Sequence, residues 1–253
     1  MESLLNLSLA GEARVRILQI TDTHLFAEKH ETLLGVNTWE SYQAVLDAIH
    51  AEGQEYDLIV ATGDLAQDQT SAAYQHFAEG IASFRAPCVW LPGNHDFQPA
   101  MYSALQEAGI SPAKCVMVGE QWQILLLDSQ VFGVPHGELS EFQLEWLERK
   151  LAAAPERHTL LLLHHHPMPA GCSWLDQHSL RNAAELDLDW NGRRLLATPS
   201  TCVQFKPHCA NFTLDSIGPG WRTLELFADG TLKTDVCRLQ GTEFRPDTAS
   251  EGY

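Results

Sequence analysis

Four polar clusters stand where apolar runs stop: Asp22-Thr23-His24 after "VRILQI", Gly63-Asp64 after "LIVAT", Gly93-Asn94-His95-Asp96 after "CVWLP", and His164-His165-His166 after "TLLLL". Together they supply carboxylate, imidazole and amide oxygen, a mixed donor set suited to Mn, Fe or Zn. An Asp placed between two such groups can bridge cations roughly 3.5 to 4 Å apart, the arrangement used for displacement at a phosphoester. Each cluster also has an ordinary reading by itself. Asp-x-His can cap a loop, Gly-Asp is a common turn, and three consecutive histidines on extended chain alternate faces, so they cannot all reach one centre. Gly-Asn-His-Asp is more telling, because buried polar side chains at a strand end need partners. The four in this order outweigh the ordinary readings.

The elements that must position these clusters alternate. A helix follows the first apolar run, with Thr38 as a cap and Tyr42, Val45, Leu46 and Ile49 on one face. A second carries Tyr74, Phe77, Ala78, Ile81 and Phe84 on one face. A third opens at Ser140 with Gln143 three residues on, a capping box, and closes around Leu151. The last third changes character: "RRLLATPS", "GWRTLELFADG" and "LKTDVCRL" read as strands, with an Asp229-Gly230 turn pairing the last two antiparallel. Alternation followed by hairpins predicts an α/β fold of two mixed β-sheets flanked by helices. In open α/β sheets the loops at the carboxyl ends of strands converge, so clusters distant in sequence meet in one crevice.

Composition bounds the partners. The chain has 253 residues, 45% of them hydrophobic, with a formal net charge of -17. That is enough apolar material for one sizeable domain spanning 1–253, and the charge argues against a nucleic-acid polymer or an anionic membrane. Glu2 and the absence of Lys or Arg ahead of the first leucines do not fit a secretory signal, so a cytoplasmic location is expected. Cys88, Cys115, Cys172, Cys202, Cys209 and Cys237 form no C-x-x-C pair and are read as free thiols.

The ordered motifs Asp22-x-His24, Gly63-Asp64, Gly93-Asn94-His95-Asp96 and the His164 cluster resemble those of the calcineurin-like metallophosphoesterase superfamily, whose fold is a four-layer sandwich. The flanking text "ILQITDTHLF", "LLGVNTWESYQAVLDAI", "VATGDLAQD", "WLPGNHDF" and "TPSTCVQFKP" is similar to bacterial class III cyclic-AMP phosphodiesterases. The resemblance implies hydrolysis of 3',5'-cyclic AMP to 5'-AMP by two metal ions (Fe, Mn or Zn). It assigns Asp22, His24 and Asp64 to the first metal, and Asp64, Asn94 and His164 to the second. It sets Asn94 and His95 against the phosphate, with His95 protonating the leaving sugar oxygen.

One motif of that superfamily is missing. Gly-His-x-His, whose histidines complete the metal sites, has no counterpart: after the triple histidine only His178 and His208 remain, and neither belongs to an H-x-H. The resemblance implies about twenty further residues, a helix and a strand, between "SLRNAAELD" and "LDWNGRRLL". Here these flanks are fused in "RNAAELDLDWNGRRL", so a deletion near 185–190 and a fold short of one helix and one strand are expected. His178 and His208 are read as ordinary surface or hydrogen-bonding histidines rather than as substitutes for that motif. Lys206, His208, Thr201 and the Thr198-Pro199-Ser200 turn belong to a loop that the resemblance sets near the substrate and that equally suits a plain surface loop.

Overall fold

A computed structural model describes residues 3–8, 14–186, 194–250 and 252. In chain order the elements begin with strands β1 (Leu4–Leu7), β2 (Arg14–Ile20), β3 (Thr32–Leu33) and β4 (Val36–Asn37), then helix α1 (Thr38–Ala51). Next come β5 (Leu58–Ala61), α2 (Ser71–Ile81), β6 (Cys88–Trp90), α3 (Gln98–Glu107), β7 (Cys115–Val118), β8 (Trp122–Leu126) and α4 (Glu141–Ala153). The chain continues through β9 (His158–Leu162), β10 (Gln204–Phe205), β11 (Leu214–Asp215), β12 (Gly220–Phe227) and β13 (Leu232–Arg238).

Two mixed sheets form. The first has the order β13-β12-β2-β5-β6, with β2, β5 and β6 parallel and β12 antiparallel to both β2 and β13. The second has the order β1-β7-β8-β9, with β7 and β8 antiparallel and the outer pairs parallel. Side-chain alternation divides each strand between two layers. Leu18, Ile20, Ile59 and Trp90 of the first sheet meet Tyr42 and Ile49 of α1, Phe77 of α2 and Met101 of α3. Ile17, Leu58, Val60 and Val89 point the other way, onto Val116, Val118, Ile124 and Leu126 of the second sheet. The outer face of that sheet, through Cys115 and Leu125, is covered by Trp146 and Leu147 of α4. The layers are helix, sheet, sheet, helix, as expected.

Local details depart from the sequence reading. Asn37 rather than Thr38 caps α1, its Oδ1 accepting the Glu40 N–H at 3.0 Å. Ser140 does cap α4, with its hydroxyl 3.3 Å from the Gln143 N–H, but the Gln143 side chain turns to the Asp128 N–H instead of closing the box. Residues 194–200 are not a strand. The Arg222 guanidinium takes the Ala197 carbonyl and the Thr198 hydroxyl, so backbone that would pair in a ladder is bound to a side chain. Strands β1 and β7 and helix α3, unread in the sequence, complete the layers. The cysteines are unpaired, four of the six buried.

Among the described residues β9 has a partner on one side only. Its Leu160 and Leu161 are half-buried, and cavities of about 250 and 510 Å³ flank it. The smaller lies between Leu160–Pro167 and Arg194–Thr198; the larger lies between Thr159 and the α4 residues Leu144, Leu147 and Leu151. The fused junction itself falls largely on 187–193, outside the described residues.

Candidate metal centre

The carboxyl ends of β2, β5, β6 and β9 meet, and the loops after β2 and β5 run side by side. The Asp22 N–H donates to the Gly63 carbonyl at 2.9 Å, His24 to Asp64 at 3.0 Å and Leu25 to Leu65 at 2.9 Å. This course puts Asp22, His24 and Asp64 at φ of 54°, 45° and 50°, a left-handed region that costs non-glycine residues free energy. Gly63, at φ +100°, could carry no side chain: a Cβ there would lie 2.6 Å from the Gly93 nitrogen and 2.7 Å from His164 Nδ1.

Strain at these positions persists because neighbouring groups over-determine them. The carboxylate of Asp96, wholly buried, accepts N–H groups from Gly93 (2.9 Å), Leu65 (3.0 Å) and Ala66 (3.2 Å), and so ties the loop after β5 to the loop after β6. Burial and the adjacent Asp64 push its pKa up to about 7. From the other side, the Ser200 hydroxyl donates to the Asp22 carbonyl at 2.9 Å and the Thr201 N–H to the Thr21 carbonyl at 3.2 Å.

Asp64 sits at the centre. Its Oδ1 accepts the His95 N–H at 2.8 Å, while Oδ2 lies 3.4 Å from His164 Nε2 and 3.9 Å from His24 Nε2. Asp22 Oδ1 is 3.8 Å from the same His24 nitrogen. Two groups of potential ligand atoms result, His24/Asp64/His95 and Asp22/Asp64/His164, with Asp64 common to both. Asn94 joins Asp22, Asp64 and His164 in lining one cavity of about 160 Å³. The six residues singled out in the sequence are therefore brought together. The grouping differs in that His95, edge-on to His24 at 5.1 Å, is itself at ligand distance, while Asp22 reaches towards both groups.

The second nitrogen of each central ring decides what the first can do. His164 Nδ1 faces the Thr62 carbonyl at 2.9 Å and His24 Nδ1 faces Gln67 Oε1 at 2.7 Å. An acceptor at Nδ1 holds the proton there and leaves Nε2 directed at Asp64, the usual backing of a metal-ligating histidine. Burial would raise the pKa of Asp64, but the His164, His24 and His95 imidazoles hold it far below the carboxylate range. His164, which burial would lower, is raised to about 10 by that same carboxylate. A carboxylate held ionised between imidazoles offers the negative charge and the donor atoms that a cation takes. These separations, 3.4 to 3.9 Å, are near the roughly 3 to 3.5 Å between ligand atoms that share one metal at about 2.1 Å.

The triple histidine lies beyond β9, where the chain bends rather than runs extended, and all three line the cavity. His164 alone of the three reaches Asp64; His165 is buried, 2.8 Å from the Ser129 hydroxyl, and His166 Nε2 is 3.6 Å from Asp176. Burial, then His164, lowers His165 to a pKa of about 3, leaving it neutral. Of the two later histidines, His178 lines the cavity, whereas His208 bonds the Ala170 carbonyl outside it. Phe205, not Lys206, faces the cavity from the C-terminal loop. Asp96, Gln67, Trp174 and Phe205 had no role in the sequence reading, and Ser200 only a place in a loop near the substrate. Asp96 and Ser200 stood inside quoted motifs, but the loops that they join could not be read from spacing.

A family model described as calcineurin-like phosphoesterase matches residues 15–192, a span that contains all four polar clusters. The chain belongs to this family. It is 81% identical to the 3',5'-cyclic adenosine monophosphate phosphodiesterase CpdA of Escherichia coli (strain K12), with 100% of both chains covered. Identity is 47% to the protein of the same name from Haemophilus influenzae (94% of this chain, 95% of that one) and 38% to that from Pseudomonas aeruginosa (96% and 97%). The alignment with the Escherichia coli relative runs over 275 positions against 253 residues here, so about 22 positions of the relative have no counterpart in this chain. No described helix is long and apolar enough to cross a membrane.

Proposed function

We propose that this chain hydrolyses 3',5'-cyclic AMP to 5'-AMP at a dinuclear metal centre and so lowers a cytoplasmic second messenger. The observation that carries the reading is the Asp64 carboxylate held between Nε2 of His164 and Nε2 of His24, at 3.4 and 3.9 Å, with the far nitrogen of each ring already engaged. The names of the relatives support the substrate. Asp22, His24, Asp64, Asn94 and His164 would hold the cations, and the donor set suits Fe, Mn or Zn. When bound, such a pair neutralises phosphate charge and acidifies water, which also explains how a chain of net charge -17 takes an anion.

The chain's own residues supply the rest. Asn94 and His95 face the phosphate, and the bond from the His95 N–H to Asp64 sets the root of its imidazole, which protonates the leaving ribose oxygen. Asp96 and Ser200 hold the loops at the geometry that this transfer needs. A second reading, an impaired remnant that binds nucleotide or metal without turnover, is favoured by the missing Gly-His-x-His and the 22 unmatched positions.

Metal content and 5'-AMP release of the Mn-loaded protein separate the two. Asp64→Ala is expected to empty both sites and His24→Ala mainly one; equal retention by Asp64→Ala and the parent breaks the shared centre. His95→Ala is expected to lower turnover by about 10² to 10⁴ with metal retained, and by less on a p-nitrophenyl diester whose leaving group needs no proton. Loss of metal from His95→Ala would instead make it a ligand. A protein that holds metal and releases no 5'-AMP is the remnant.

A further inference from the structure

The cavity beside Asp64 has a second wall of a different kind. Besides Asp22, Asn94 and His164 the cavity is lined by Trp174, His178 and Phe205. Trp174 lies 4.8 Å from Phe205 at 48° and 4.8 Å from Phe212 at 85°, and Phe205 is 5.6 Å from Phe212. His178 packs on the indole at 4.7 Å, with its Nδ1 3.2 Å from the Trp174 carbonyl. These rings come from two separate segments, the turn before a short 3-10 helix (Leu175–His178) and the β10–β11 hairpin. Both are anchored. Ala170 N–H bonds the Asp176 carboxylate at 2.6 Å, Asp176 N–H bonds the Cys172 carbonyl at 2.8 Å, and Phe205 is tied through the backbone pairing of β10 to Leu214.

Trp174 and Phe205 are both only half-buried, at the edge of a cavity whose remaining lining, Leu175 apart, is carboxylate, amide and imidazole. A ligand that places an anion against the polar wall and a flat π-system against the aromatic one satisfies both. From this we infer that Trp174 and Phe205 form the shelf on which the base of a nucleotide stacks while its phosphate lies against Asn94 and His95. The inference rests on the nucleotide reading above and deepens it: the polar wall supplies the reaction and the aromatic wall the preference for a nucleotide over other phosphoesters. Stacking is tolerant of base identity, since every base has a π-face, so the shelf selects nucleotides as a class.

The test is equilibrium binding, which does not require turnover. The Mn-loaded protein is titrated with 5'-AMP and with ribose 5-phosphate, which carries the same sugar and phosphate but no base. The parent is expected to bind 5'-AMP the more tightly. Trp174→Ala should weaken 5'-AMP by roughly 5- to 150-fold, the span of one stacked base, and change ribose 5-phosphate less than about twofold. Trp174→Phe, which keeps a flat ring and the packing on Phe212, should stay within about threefold of the parent for 5'-AMP while reducing the quenching of tryptophan fluorescence that 5'-AMP causes. Phe205→Leu should fall between these. Equal weakening of both ligands by Trp174→Ala would make the aromatic group a support for the hairpin only, and equal affinity of the parent for both would also overturn the shelf. Failure of the hydrolytic reading looks different: 5'-AMP is bound with base dependence, yet none is released from cyclic AMP.

Discussion

Strands β5 and β9 each end beside a residue of the centre, Asp64 and His164, but their surroundings differ. Every residue of β5 is buried, between β2 and β6 on its edges and between α-helices and the second sheet on its faces. Strand β9 pairs only with β8 among the described residues; of its five residues one is buried, and cavities lie beside it. The same chemistry is thus held from two sheets with unequal support. Asp64, at strained φ, is pinned through Asp96, whereas the His164 ring is aimed by the Thr62 carbonyl and by Asp64 itself. A strained ligand is placed well when it grows from a filled core, and an unstrained one can be the weaker member when its strand is an edge.

Three comparisons in solution, and a fourth on the loops, can break or sharpen this contrast. The largest effect is expected from Asp96→Ala, which leaves the N–H groups of Gly93, Leu65 and Ala66 without their acceptor. Each such buried donor costs about 1 to 3 kcal/mol, so a loss of about 3 kcal/mol or more in urea denaturation is expected, with metal binding lost as well. An effect below about 1 kcal/mol would show that Asp96 is not what secures Asp64. Next comes restoring a family-length segment between the flanks of the junction. Completing the burial of Leu160 and Leu161 should add about 2 kcal/mol, and for a chain of this length that is about 4 to 8 °C in melting temperature. Bound metal should increase with it; no gain in either removes the case that β9 is an incomplete edge.

Hydrogen exchange tests the same contrast without mutation. Amides of β5 should exchange about tenfold or more slowly than those of β9, because local opening exposes an edge strand first. Equal protection would mean that β9 is covered. The smallest effect is expected from Ser200→Ala, which removes the hydroxyl that donates to the Asp22 carbonyl and accepts the Cys202 N–H, each at 2.9 Å. About 1 kcal/mol of stability should be lost, together with a few-fold weakening of metal binding, read by titration with Mn.

Much of this was legible in the sequence. The strands that end in polar clusters announce themselves because a buried parallel strand must be apolar along its length, so "LIVAT" and "CVWLP" stand out. The polar clusters followed from polar groups at the ends of such runs and the choice of ligands among them from the family resemblance, whereas the bend after β9 that parts the three histidines was not read. Strand β1 was opaque because four residues with no strong alternation, "LLNL", take their strand identity from pairing with β7 across more than a hundred residues. "RRLLATPS" misled for the converse reason: its composition suits a strand, but Arg222 holds the carbonyl of Ala197.

The sequence by itself therefore determined the α/β class, the family resemblance, the six candidate residues and the absence of Gly-His-x-His, all of which depend on residue type, order and local period. Only the tertiary structure decided which nitrogen of His164 faces Asp64, that Asp96 joins two loops, that His178 rather than His208 borders the cavity, and that Trp174 and Phe205 line it too. Those facts depend on which elements meet in space. A side chain's partner is set by backbone brought from tens to hundreds of residues away, and no local pattern of spacing carries that information.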